Sequence, residues 1–149
     1  NTSFEKSTTA GAGSGTPYGL ALKYGDGGFK TTLSVGQNSN GDTVKFLGLR
    51  QQFGPLAIMG AYDISTYKGT TSNSTARAFT LGATWQLDTV LLQAGVGRQS
   101  LAGVTNDMES VGARYPLSKR TYLYADLTRF KPDADDAHIG YGVGMNHSF

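Results

Sequence analysis

The closing segment, His138 to Phe149, constrains the chain more than any other. Ile139, Tyr141, Val143, Met145 and the terminal Phe149 share one parity, and Gly140, Gly142, Gly144, Asn146 and Ser148 stand between them. Alternation at a period of two belongs to a strand, because a helix repeats near 3.6. One face of this strand is large and apolar, the other small and polar. A soluble sandwich would normally carry charged or β-branched side chains on its wet face. Small polar residues opposite large apolar ones fit a barrel wall with lipid outside and water inside.

Composition supports that expectation. No apolar run approaches the roughly 18 residues a membrane helix requires, so a helical membrane protein is excluded. With 149 residues the chain can form one domain, and its 21 glycines, 8 tyrosines and 7 phenylalanines against 4 prolines make a strand-and-turn composition. Cysteine is absent, which removes disulfides, thiolate metal sites and thiol nucleophiles. A net charge of +2 does not point to nucleic acid. The polar start at Asn1-Thr-Ser-Phe4 shows no signal peptide, so the chain is expected to be mature or a piece of something longer.

Along the chain, the alternation predicts strands over 17–25, 29–38, 43–53, 56–67, 77–87, 89–100, 107–117, 120–131 and 138–149. Most are near the roughly 9–11 residues that a tilted strand needs to cross a bilayer, whereas soluble strands average about 5–6. Tight turns are expected at Asp26–Gly28, Gly54-Pro55, Asp88 and Ser118-Lys119. Looser connections are expected at Ser39–Asp42, Lys68–Ala76, Leu101–Asn106 and Pro132–Ala137. Short turns at one end and longer polar loops at the other is the outer-membrane pattern, with the short set periplasmic. Residues 1–16, rich in Gly, Ser and Thr, then read as an extracellular loop and 17–149 as the membrane strands.

The outward set runs through Tyr18, Leu20 and Leu22, then Leu33 and Val35, Ile58 and Tyr62, Phe79 and Leu81, Val96, Val111 and Leu127. Tyr24, Phe29, Phe53, Trp85, Tyr115 and Phe149 fall near the periplasmic ends and are expected to form an aromatic girdle. The third strand fits least well, because Lys45 and Gln51 share the outward face with Leu47 and Leu49. Either a neighbouring subunit covers it or the assigned register is off by one.

Four segments together resemble the general, trimeric porins of Gram-negative outer membranes, particularly the β-proteobacterial and neisserial type. They are Arg50-Gln-Gln-Phe-Gly-Pro-Leu56, Thr80-Leu-Gly-Ala-Thr-Trp85, Val111 to Tyr124 with its Leu-Ser-Lys-Arg-Thr turn, and Gly140 to Phe149. The resemblance implies an all-β, transmembrane antiparallel β-barrel of sixteen strands, of which about nine, the C-terminal part, are present here. It implies a homotrimer in the outer membrane, contacts with outer-membrane lipid and lipopolysaccharide, and recognition by the outer-membrane assembly machinery. The assembly signal would be the outward face of the last strand, Tyr141, Val143, Met145, His147 and Phe149. The inward-folded constriction loop of such proteins would belong to the other half.

The inward set supplies the candidate pore wall: Lys23, Lys30, Arg50, Arg114, Asp63, Asp126, Tyr122 and Tyr124, among hydroxyls, amides and glycines. Lys23, Lys30, Arg50 and Arg114 lie in the periplasmic halves of their strands, with Asp63 and Asp126 expected nearer the outer mouth. A basic stripe of that kind would favour anions; the alternative is that these charges only solvate a wide wall. The expected function is passive diffusion of ions and small hydrophilic solutes, with no cofactor and no catalysis. Neither a Cys/His metal pattern around His138 and His147 nor a Gly-x-Ser-x-Gly elbow exists. Asp133, Asp135 and Asp136 make at most a weak cation site. The competing readings are a small closed barrel acting as adhesin, anchor or enzyme, and a soluble ligand-binding barrel with apolar residues turned inward.

Overall fold

A computed structural model describes residues 15–69 and 72–148. Phe149 and positions 1–14 of the expected N-terminal loop lie outside the described residues. All regular structure among the described residues is strand: β1 (Tyr18–Asp26), β2 (Phe29–Gln37), β3 (Thr43–Phe53), β4 (Leu56–Tyr67), β5 (Ser74–Leu87), β6 (Val90–Leu101), β7 (Val104–Ser118), β8 (Thr121–Lys131) and β9 (His138–His147). Each pairs antiparallel with its sequence neighbours, giving one nine-stranded sheet in the order β1 to β9. Consecutive pairing is the topology that short hairpin connections impose.

The turns at one end are two residues long: Gly27-Gly28, Gly54-Pro55, Asp88-Thr89 and Lys119-Arg120. Gly27, Gly54 and Asp88 have φ of 51°, 56° and 48°, the left-handed entry that matches a tight turn to the twist of its strands. The β7–β8 pairing shifts between Pro116, opposite Tyr122, and Ser118, opposite Thr121, and skips Leu117. Having no N–H to give, proline is tolerated at such a bulge.

The opposite end departs from expectation at two hairpins. In place of a loose Leu101–Asn106 loop, β6 runs to Leu101, β7 starts at Val104, and only Ala102-Gly103 turns the chain. Both turn residues have positive φ, 51° and 87°, so Gly103 supports a turn that carries no Asn-Gly or Asp-Gly signature. β5 likewise starts at Ser74, because Ser74 and Thr75 pair with Tyr67 and Thr66. Hydroxyl residues that look like loop in sequence are continuing a ladder.

No hydrophobic core forms among the described residues. Ala57 and Ala76 are the buried hydrophobic side chains, and no large side chain is fully buried. Tyr18, Leu20 and Leu22 of β1, Leu33 of β2, Leu81 of β5, Val111 of β7 and Tyr141 of β9 are all exposed. They share one face by pairing, as in Leu22↔Leu33↔Leu47↔Tyr62↔Phe79. Lys45 stands on this face too, opposite Val35 and Ile64, so the register read from β3 holds and its polar residues do stand among apolar ones.

The apolar band slopes across the sheet. One row of paired residues begins at Tyr24, the apolar residue of β1 nearest the short turns. It runs through Thr31, Leu49, Gly60, Leu81, Val96, Glu109 and Arg129. It ends at Ile139, the apolar residue of β9 farthest from those turns. Strands tilted against a level apolar belt produce this slope, and barrel strands tilt by about 35–45°.

Candidate functional site

The face opposite the apolar band carries the sequence candidates, and the pairing sorts them into two groups. In the first, Lys30 of β2 stands directly opposite Arg50 of β3, with Lys23 of β1 opposite Thr32. The Arg50 guanidinium donates to Gln52 Oε1 at 2.6 Å, and Gln52 Nε2 donates to the Gly54 carbonyl at 2.6 Å, which ties the basic group to the short-turn end. Asp63 of β4 lies in the other half of its strand and accepts from Ser65 Oγ at 2.8 Å.

The second group lies on β7 and β8. Arg114 pairs with Tyr124, and its guanidinium carbon sits 5.4 Å from the centre of the Tyr122 ring. The rings of Tyr122 and Tyr124 are 6.4 Å apart and tilted by 56°. Together with Gln93, Asp126 and Asn146 they line a cavity of about 330 Å³. Arg114 therefore belongs with this cluster and not to one stripe with Lys23, Lys30 and Arg50. Asp126, expected near the outer mouth, stands in mid-strand and lines the same cavity as Arg114. The reason is β8 itself: Tyr122, Tyr124 and Asp126 follow one another at a spacing of two from the tight turn.

The glycines of β9 explain how that cluster packs. A Cβ on Gly144 would meet the Tyr124 hydroxyl oxygen at 2.6 Å, and one on Gly142 would meet the Asp126 carboxylate at 2.9 Å. Side chains of β8 lie across β9, and only glycine leaves them room. Asn146 and Gln93 complete the cavity; both were legible as small or polar positions of alternating strands, but nothing in the sequence joined them to Arg114.

Large apolar residues also reach this face. Phe46 lies against Gly48 and Met59 against Gly82, each filling space where a Cβ would come within 3.0 and 3.3 Å respectively. Their strands keep strict alternation, so their parity was readable although their hydrophobicity argued against it.

On the apolar face, Tyr24 and Phe29 approach to 6.4 Å between ring centres, and Phe53, Trp85 and Tyr115 stand at the same short-turn end. Tyr141, Val143 and Met145 are 85%, 78% and 63% exposed on β9, a strand with only β8 beside it. Thr121 Oγ1 and His147 Nδ1 are hydrogen-bonded at 2.8 Å across that last ladder.

Beyond the apolar band, toward the longer connections, the same face turns charged. The Arg98 guanidinium meets Asp107 in two bonds of 2.6 and 2.9 Å, and Arg129 meets Glu109 at 3.4 Å. Arg77 and Lys131 stand in paired positions nearby, opposite Ser100 and Asp107. This charged rim went unread in the sequence, although its members keep the parity of Val96, Val111 and Leu127. Exposed pairs of this kind are screened by water and contribute little, so the rim marks where the apolar band ends more than it holds the sheet together.

Asp133, Asp135 and Asp136 are not gathered into a metal site. The Asp136 amide donates to Asp135 Oδ1 at 2.8 Å, and Asp135 lies 3.6 Å from His138 Nε2. No group of three metal-binding side chains assembles among the described residues.

A sheet with no core, one apolar face and one polar face is a membrane wall in search of its family, and sequence comparison supplies it. The Gram-negative porin family matches over residues 1–135. The chain belongs to the Gram-negative porins. No curated protein sequence matches it. The porin fold is similar to that of OmpT (in-vitro folded), an outer membrane protein of Vibrio cholerae, with a TM-score of 0.64 at 15% sequence identity. That similarity covers 89% of this chain and 49% of the other, so the porin chain described here spans about half the length of that structure.

Proposed function

We propose that this chain is the C-terminal part of a sixteen-stranded, homotrimeric porin of the β-proteobacterial or neisserial type. In this reading it walls a water-filled channel through which ions and small hydrophilic solutes diffuse without cofactor or catalysis. The observation that carries the proposal is the absence of a core between two chemically opposed faces. Exposed Leu, Val and Tyr side chains over nine strands would leave a soluble protein with an untenable apolar surface, whereas acyl chains cover them at no such cost. A soluble barrel with apolar residues inward would bury them instead.

Further strands are supported by β1 and β9, each of which has one sheet neighbour. Unpaired strand edges cannot face hydrocarbon, where water is not present to satisfy them. The polar face, with Lys23, Lys30, Arg50, Arg114, Tyr122, Tyr124, Asp63 and Asp126, would line the channel. Juxtaposed Lys30 and Arg50 support an anion preference, because neighbouring cations with no carboxylate bonded to them among the described residues raise the local anion concentration. Tyr24, Phe29, Phe53, Trp85 and Tyr115 would meet the periplasmic headgroups. The charged rim from Arg77 to Lys131 would meet lipopolysaccharide headgroups, and the outward face of β9 would, with the terminal Phe149, be read by the assembly machinery.

The test is conductance of the full-length protein in planar bilayers under a KCl gradient. Ohmic conductance with a reversal potential of anion sign is expected, weakened in Lys30→Gln and Arg50→Gln. A folded protein without conductance overturns the channel, and a cation-sign potential overturns the anion preference.

A further inference from the structure

The cavity on β7 and β8 separates its two charges. Arg114 and Tyr124 are paired, and Asp126 is the next residue of the same face along β8. Diagonal neighbours of this kind lie about 7–8 Å apart at the backbone, within reach of an arginine. Yet the guanidinium turns the other way, over Tyr122, and among the described residues Arg114 and Asp126 form no ion pair. Asp126 instead lies across Gly142, and Tyr124, seated over Gly144, stands between the two charges.

The cavity thus has two unlike ends. Toward the short turns, Arg114 and Asn146 present donors, with Asn146 paired to Tyr122. Toward the other end, Asp126 presents an anionic acceptor beside Gln93, and the Tyr124 ring forms the middle. We propose that this cavity binds a zwitterion of short-peptide size, its carboxylate at Arg114 and its ammonium at Asp126. The proposal rests on the channel reading only for the solute's route, not for the site's chemistry.

Size follows from the strand. Tyr122 and Asp126 are four residues apart on β8, about 13 Å at about 3.3 Å per residue. An extended dipeptide spans about 7 Å, which leaves one hydrogen-bond contact of about 3 Å at each end. A free amino acid is too short to reach both charges at once. Charge-assisted bonds at both ends would favour the zwitterion over a blocked peptide, and the Tyr124 ring offers the backbone an apolar surface to lie on.

The experiment is calorimetric titration of dialanine into the full-length folded protein in detergent, beside the same peptide with acetylated and amidated ends. Binding of dialanine is expected, with about tenfold weaker binding of the blocked peptide and of dialanine to Arg114→Gln or Asp126→Asn. Equal binding of the two peptides, no binding to wild type, or no change in either variant overturns the site. KCl conductance of the same preparations tests the channel independently. Conductance without peptide binding removes the site alone, and peptide binding without conductance keeps the site and removes the channel.

Discussion

Tyr124 lies across the strand beside it, with its hydroxyl oxygen 2.6 Å from where a Cβ of Gly144 would be. The small face of the last strand is therefore a seat for the side chains of β8 as well as a polar surface. Gly144→Ala should displace the ring and destabilise the folded protein by about 1–3 kcal/mol, the usual range for overpacking. The double variant Gly144→Ala with Tyr124→Ala should recover most of that loss. Urea midpoints of the refolded protein in detergent would measure both; a Gly144→Ala loss that Tyr124→Ala leaves unchanged would show that the ring is not the obstacle.

The Ala102-Gly103 turn holds an alanine at φ of 51°. Left-handed backbone costs a residue with a Cβ about 1–2 kcal/mol. Ala102→Gly should relieve that strain, and the net gain is about 1 kcal/mol after the added freedom of glycine in the unfolded chain. Thermal or urea unfolding would register it as a raised midpoint. A lowered midpoint would argue for a different turn geometry.

Trp85 is the single tryptophan and is exposed on the apolar face near the short turns. In bilayers whose lipids carry bromine at chosen depths, its fluorescence should be quenched most by labels close to the headgroups and least by labels at the chain ends. Strongest quenching from the bilayer centre would shift the band and remove Trp85 from the girdle.

The loop between β2 and β3 gives a pH dependence. The Asn38 amide donates to Asp42 Oδ2 at 2.8 Å and the Lys68 backbone N–H to Asp42 Oδ1 at 2.7 Å. These two bonds, the Asn38 side chain first, hold the Asp42 carboxyl below its ordinary value of 3.8. A depressed folded pKa means that the contribution is complete above the ordinary carboxylate value. It is lost as pH falls through the lower folded value. Exchange protection of the Lys68 amide, corrected for the intrinsic rate, should drop in that acid window and be low at every pH in Asp42→Ala. Acid-independent protection in the wild-type protein would contradict the assignment.

Much of this architecture was legible from alternation. Parity alone put Leu22, Leu33 and Leu47 on one face and Lys30, Arg50 and Asp126 on the other, because successive side chains of a strand must point to opposite sides. It was even right about Lys45, whose chemistry argued against its place. Connections were harder. Ala102-Gly103 looked like part of a loop because alanine rarely takes positive φ, and Ser74 and Thr75 looked like loop because hydroxyl residues serve turns and polar ladders equally well.

By itself the sequence determined the period, the parity and the number of strands, which are local consequences of one residue's geometry relative to the next. Only the tertiary structure decided what stands with what: Lys30 against Arg50, Asp126 in one cavity with Arg114, Tyr124 over Gly144. Those relations depend on the pairing register across strands and on which way each side chain leans. Pairing joins residues far apart in the chain through backbone hydrogen bonds that every residue except proline can make. A sequence therefore holds both faces of this porin wall, and the sheet alone brings its charges to their neighbours.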